Sequence, residues 1–213
     1  MEKIFFDDET FIWKMKLNRV EDKQTFLKDA YSIIDSLPDV KTDGFAHKKE
    51  WNNNLDFVGQ VNITSKIDEL VQTGIDLCKK LYEEKNIEYN KINTDSWVNV
   101  VRSKNPVQSN FYNVKEKYHV HTEINKRTHS FVPLYTYVYY IQMPDVMDGE
   151  DGVLYFRGKN DNEYWVRPEE DEIIIMPADM PHSPNTAPKS TVDRIVLAGN
   201  VGFQYIKKEK SFI

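Results

Sequence analysis

A single cysteine, Cys78, in 213 residues excludes an intrachain disulfide framework and sets a reducing, cytoplasmic location as the expectation. A basic excess is also missing. The 28 lysines and arginines stand against 34 acidic residues, a net charge of −6, so nucleic-acid binding through phosphate neutralisation is not expected. No window approaches the roughly 18 apolar residues of a membrane span. The start, Met1 to Asp8, is broken by acids, unlike a secretory signal. With 8 glycines and 9 prolines and no repeat or low-complexity tract, the composition is not that of a disordered chain. What is present is 40% hydrophobic and 13% aromatic residues, enough for one core. Residues 1–213 therefore read as a single domain.

The hydrophobic period changes once along the chain. In residues 1–95 it is helical. Phe26, Ala30, Ile33, Ile34 and Leu37 fall on one helix face that Pro38 ends. Ile67, Leu70, Val71, Leu77, Cys78, Leu81 and Tyr82 form the stripe of a second helix from about Thr64 to Glu84, with Thr64 or Ser65 as its cap. A polar stretch between them carries Trp51, Phe57 and Val61 as anchors. From Ser96 to about residue 205 the pattern is that of strands: 97–101, 108–114, 118–122, 135–143, 153–157, 163–166, 172–176 and 194–205. Eight short strands after two helices predict a double-sheet jelly roll, mostly β, backed by N-terminal helices.

Four residues on these strands carry candidate chemistry. His121 and Glu123 are two apart on a strand, so their side chains share a face. His182 follows the apolar run Ile173 to Ile175 and reads as a loop residue among Pro177, Pro181 and Pro184, and Arg194 opens the last strand. Two histidines and one carboxylate are a ligand set that holds Fe(II) and leaves positions open for substrate and oxygen. A guanidinium fork beside the metal suits the far carboxylate of a dicarboxylate cosubstrate. His119 shares the face of His121 and is the alternative first ligand. The plainer roles are an exposed polar strand face for the histidines and a surface pairing for Arg194, with Asp193 as one partner. Lys189 is a second candidate anchor. His47 and His129 read as surface residues, and Trp97 and Trp165 as core or rim.

The segment Tyr112 to Glu123 has the form Y-x-V-x-x-x-Y-x-x-H-x-[D/E]. It is followed by the aromatic run Tyr135 to Ile141, the turn and strand Gly149 to Phe156, and the step Val166-Arg167-Pro168 to Pro177. In this order the motifs resemble the Fe(II)- and 2-oxoglutarate-dependent oxygenases, most closely their prolyl 4-hydroxylase-like branch, over residues 96–205. Small 2-oxoglutarate oxygenases from phages and marine bacteria look similar, with an H-x-H after a W-x-N strand (here Trp97-Val98-Asn99). There are departures. Glu123 stands where aspartate is commoner, the "GG" turn is Gly-Glu-Asp-Gly, and Glu170-Asp171-Glu172 replaces the glycine before Ile173.

The resemblance implies a cupin-like double-stranded β-helix. It implies Fe(II) held by His121, Glu123 and His182, with 2-oxoglutarate and O2 as cosubstrates. It places Tyr140 beside Arg194 and Tyr112 near the 2-oxo acid end. The implied activity is hydroxylation of an unactivated C–H, a peptidyl proline being the family's suggestion and other peptides, proteins or small molecules the alternatives. Two rivals stay open: a cupin-like metalloenzyme using His119, His121 and His182 without 2-oxoglutarate, and a non-enzymatic jelly roll such as a virion or sugar-binding module. The oligomeric state is not legible.

Overall fold

The computed structural model describes residues 1–36, 55–57, 66–86, 88–101, 118–122, 132–185, 187 and 189–205. Among the described residues, ten strands and two helices follow one another: β1 (Glu2–Phe5), β2 (Phe11–Lys16), a 3-10 turn (Val20–Asp22), α1 (Lys23–Ser36), β3 (Leu55–Phe57), α2 (Lys66–Glu83), β4 (Tyr89–Val101), β5 (Tyr135–Gln142), β6 (Leu154–Arg157), β7 (Glu163–Val166), β8 (Glu172–Pro177), β9 (His182–Pro184) and β10 (Arg194–Tyr205). A seven-stranded sheet runs β1-β2-β8-β5-β10-β4-β3 and a three-stranded sheet runs β7-β6-β9. Every strand pair is antiparallel. From β4 onward the chain alternates between the sheets. The segment 118–122 touches the small sheet through a bridge from His119 to His182, after which β5 is in the large sheet, β6 and β7 in the small, β8 in the large, β9 in the small and β10 in the large.

The period-2 alternation of the strands sorts two cores. Odd-numbered positions Tyr135, Tyr137, Tyr139, Ile173, Ile175, Ile195, Leu197 and Val201 join α1 and α2 on the outer face of the large sheet. Even-numbered positions Val138, Tyr140, Ile174, Met176, Val196 and Ala198 meet Leu154 and Phe156 of the small sheet in a layer between the sheets. Side chains at i and i+2 share a face, so a one-residue slip would exchange the two cores. The helices sit where the period of their buried residues puts them. In α2, Ile67, Leu70, Val71, Gly74, Ile75, Cys78, Leu81 and Tyr82 are buried, while the expected Leu77 is only half-buried and Ile75 takes its place. Burying one such side chain stabilises by about 1.5–3 kcal/mol.

Tyr137 shows how close the layers come. Its hydroxyl lies 2.7 Å from Ser96 Oγ. A Cβ at Gly74 of α2 would lie 2.6 Å from its ring, and one at Gly199 of β10 would lie 2.5 Å away. Both glycines are present because the ring occupies the space a side chain would need.

Two expectations change, and one departure from the family pattern finds its reason. Residues 1–95 are not helical throughout, since they also form β1, β2, β3 and the start of β4, and β2 pairs with β8 from Trp13–Ile175 to Lys16–Glu172. The absent glycine before Ile173 is replaced by Asp171, which itself adopts the left-handed conformation (φ 67°). Its carboxylate is held there by the Arg19 amide at 2.9 Å and the Tyr139 hydroxyl at 2.8 Å. These contacts offset the strain of a positive φ. Finally, His182 opens a short strand rather than lying in a loop. The expected strand at 108–114, the helix caps Thr64 and Ser65, and Trp51, Val61, His47 and His129 lie outside the described residues.

Candidate metal centre

The apolar strand β8 ends at Pro177, and the turn Ala178–Met180 is closed by the Met180 amide on Pro177 O at 3.1 Å. That turn delivers His182 into β9 opposite Phe156. Directly opposed residues share a face, and Phe156 belongs to the layer between the sheets, so the His182 ring points inward. On the other side of β9, His119 and His182 exchange both backbone hydrogen bonds at 3.1 Å. His121 follows two residues on, its amide bonded to Ala178 O at 2.8 Å. The ligand atoms of His119, His121 and His182 all lie within 4.8 Å of one another.

The details of the cluster favour metal ligation. Met180 O lies 3.0 Å from His182 Nδ1. A carbonyl can only accept, so Nδ1 carries the proton and Nε2 presents its lone pair to the interior. His182 is 4% exposed, and burial, reinforced by the neighbouring His119, pushes its pKa down to about 3. The ring is therefore neutral, as a ligand must be. His121 Nε2 lies 3.3 Å from His182 Nε2. Two imidazole nitrogens on one ion at about 2.1 Å stand about 3.0–3.4 Å apart, so this spacing fits a shared cation. Trp97, expected to be core or rim, stacks on His121 with ring centroids 5.6 Å apart. The only sequence signal for this contact was the W-x-N strand.

Arg194 and Tyr140 lie further along the same interior face. Tyr139 and Tyr140 alternate: Tyr139 turns outward to Asp171, and Tyr140 turns inward with the Arg194 guanidinium carbon 5.6 Å from its ring centre. Arg194 is 6% exposed and Tyr140 fully buried, yet Arg194 Nε and Tyr140 Oη have no hydrogen-bond partner among the described residues. Burial pushes the Tyr140 hydroxyl up to about 12, against the opposing pull of Arg194, so it stays a donor. A buried cation and a buried hydroxyl, both with unused donors, fit a carboxylate. Arg194 is not at the surface, and the Asp193 carboxylate accepts from the Tyr31 hydroxyl at 2.9 Å. Lys189 is exposed and ion-paired with Asp148 at 2.5 Å, which removes it as an anchor. Trp165 is 48% exposed. Glu123 and Tyr112 lie outside the described residues.

Three imidazoles converging beside the two antiparallel sheets define a candidate mononuclear metal centre, with a buried arginine along the same face. No protein-family model and no curated protein matches the sequence. Solved structures do match. The chain is similar to a prolyl-4-hydroxylase from Pseudomonas putida at a TM-score of 0.57 and 10% identity, covering 93% of this chain and 94% of the other. It is similar to IDO from Bacillus thuringiensis at 0.50 and 12%, covering 90% of each. A third match is an oxidoreductase of the 2OG-Fe(II) oxygenase family from Burkholderia pseudomallei, at 0.49 and 10%, covering 90% of this chain and 85% of that one. The resemblance to prolyl 4-hydroxylase-like proteins read from the motifs thus holds at the level of fold. No helix among the described residues is long and apolar enough to cross a membrane.

Proposed function

We propose that the chain is an Fe(II)- and 2-oxoglutarate-dependent oxygenase built on a double-stranded β-helix, and that it hydroxylates an unactivated C–H bond. One observation carries this reading: the imidazole cluster and the Arg194–Tyr140 donors share one interior face, so one molecule can reach both. In this reading His121 and His182 are metal ligands and Glu123 supplies the carboxylate. Bound iron and 2-oxoglutarate would supply dioxygen activation, one oxygen atom ending in the new C–O–H group and the other in the succinate formed as 2-oxoglutarate loses carbon dioxide. The chain's own residues do the rest. His182 offers Nε2 because Met180 O holds its other nitrogen. Arg194 and Tyr140 donate to the far carboxylate and fix its orientation. Val138, Val196 and Ala198 keep water from the space between. The likeness to the Pseudomonas prolyl-4-hydroxylase makes peptidyl proline the first substrate to test.

A second reading has its own support. His119 is the third member of the observed cluster, and three histidines without a carboxylate suit a cupin-like metalloenzyme that needs no 2-oxoglutarate. Anaerobic titration separates the two. The oxygenase reading expects a visible charge-transfer band when 2-oxoglutarate is added to the Fe(II)-loaded protein. If 2-oxoglutarate does not bind in the presence of Fe(II), the oxygenase reading fails and the three-histidine one replaces it.

A further inference from the structure

The interior face turns polar at the metal end. Its inward positions run Arg194, Val196, Ala198, Asn200 on β10, Tyr140, Val138, Thr136 on β5, and Trp97, Asp95 on β4. Asn200 stands directly opposite Asp95 on one side and Thr136 on the other. Asn200 is 0% exposed, and Asp95 and Thr136 are each 1% exposed. The trio lies toward the same end of the sheet as the metal ligands. Ala198 is opposite Trp97, which stacks on His121, and Asn200 is one inward step further, about 7 Å along the strand. Thr136 also faces Met176, two residues before the Ala178 carbonyl that holds the His121 amide. Arg194 lies toward the opposite end of β10.

The Thr136 hydroxyl donates to Asn200 Oδ1 at 2.8 Å. That bond fixes the amide, and Nδ2 is left buried with no hydrogen-bond partner among the described residues. Packing does not require an amide here, since the neighbouring inward residues are Val138, Met176 and Ala198. A buried donor left unmatched is costly, and a site built around it favours a ligand that supplies the acceptor.

We infer that Asp95, Thr136 and Asn200 read the substrate, taking a group that offers a carbonyl or carboxylate oxygen to Asn200 Nδ2 and an N–H to Asp95. This is the pattern of an amino-acid head group or of a peptide amide. The inference rests on the oxygenase reading for what lies beside the site, and it selects nitrogen-bearing substrates over hydrocarbon acids.

Calorimetry on the full chain, with and without Fe(II) and 2-oxoglutarate under nitrogen, tests it with three probes: free L-amino acids, their N-acetyl N-methylamides, and carbon-matched carboxylic acids. One nitrogen-bearing series should bind at least tenfold more tightly than the matched acids, and which one does so separates a free amino acid from a peptide. Asn200→Leu and Asp95→Asn should weaken that binding about 10- to 100-fold, with 2-oxoglutarate affinity unchanged within about twofold. Thr136→Val, close in volume, should weaken it by a smaller factor and carries the test if the Asn200 variant does not fold. The inference is overturned if neither series binds, if the matched acids bind as tightly, or if the folded variants bind as the wild type does. Should a nitrogen-bearing series bind while Fe(II) and 2-oxoglutarate do not, the oxygenase reading falls and the recognition site stands.

Discussion

His182 concentrates the residue-scale chemistry. Its neutral, oriented ring makes it the ligand with the largest expected effect: His182→Ala should lower Fe(II) affinity at least about 100-fold in anaerobic titration, and unchanged affinity would remove it from the site. Glu123→Ala and His119→Ala divide the two ligand sets. Loss of activity in the first with retention in the second supports the carboxylate, and the reverse supports three histidines. The same ring makes a pH prediction for the metal-free protein. Its folded pKa of about 3 lies below the ordinary 6.5, so between those values the unfolded chain binds a proton that the folded one does not. Stability is then highest above pH 6.5 and falls as the pH drops toward 3, by about 1 kcal/mol per pH unit for this one group. Urea unfolding from pH 7 to 4 should show a shallower fall in His182→Asn than in the wild type. Equal slopes would mean that the ring is not held neutral.

At the scale of elements, the tightest joint is where Tyr137 passes between α2 and β10. Gly199→Ala places a methyl against that ring and should cost about 1–3 kcal/mol, read as a lower urea midpoint with an unchanged slope. Gly149→Ala, with nothing near its Cβ and a φ of 55°, tests backbone strain alone. If both variants cost the same, the close approach at Tyr137 is not what requires glycine. The elements also show what was legible in advance. β5, β6, β7, β8 and β10 could be read within a residue or two because each is a β-branched and aromatic run bounded by turn residues. The β1–β2 hairpin was missed. Its apolar residues, Ile4 to Phe6 and Phe11 to Trp13, form two short runs across the acidic turn Asp7-Asp8-Glu9. That turn works because Asp7 accepts the Glu9 and Thr10 amides at 2.9 and 2.6 Å, a contact that a periodicity reading does not register. His182 read as a loop residue because three residues, His182 to Pro184, are too few to show a period.

For the whole molecule, folding and ligand binding are linked. Anything that binds only the folded form raises its stability by an amount set by concentration over Kd, about 2.7 kcal/mol at a hundredfold excess. For a domain of this size that is about 5–10 °C in melting temperature. Fe(II) and 2-oxoglutarate should each add an increment. Arg194→Ala should keep the iron increment and lose most of the 2-oxoglutarate one, because an unpaired partner of a buried charge interaction costs on the order of 3–5 kcal/mol. If the variant retains both increments, the anchor is not Arg194. The site's position within the whole was only partly visible in the sequence. The family resemblance suggested Tyr140 beside Arg194, but only the pairing of β9 with β6 and with His119 brings His182 to the interior face. Long-range register of this kind leaves no local trace in the chain.

The bridge between His119 and His182 has a kinetic consequence. Among the described residues, the segment 118–122 is joined to its neighbours' backbone by two bonds to His182 and one to Ala178, whereas β8 is paired on both edges. An ion gripping these rings therefore acts as a latch on the segment that carries two of them. Amide hydrogens of His119 and His121 should exchange with deuterated solvent quickly in the stripped protein and slowly once Fe(II) or Mn(II) is added, while those of Ile174 and Ile175 wait for global unfolding in either state. The exchange rates of two backbone protons would then report site occupancy without any turnover being measured. Equal rates with and without the ion would mean that the segment is held by something other than its ligands.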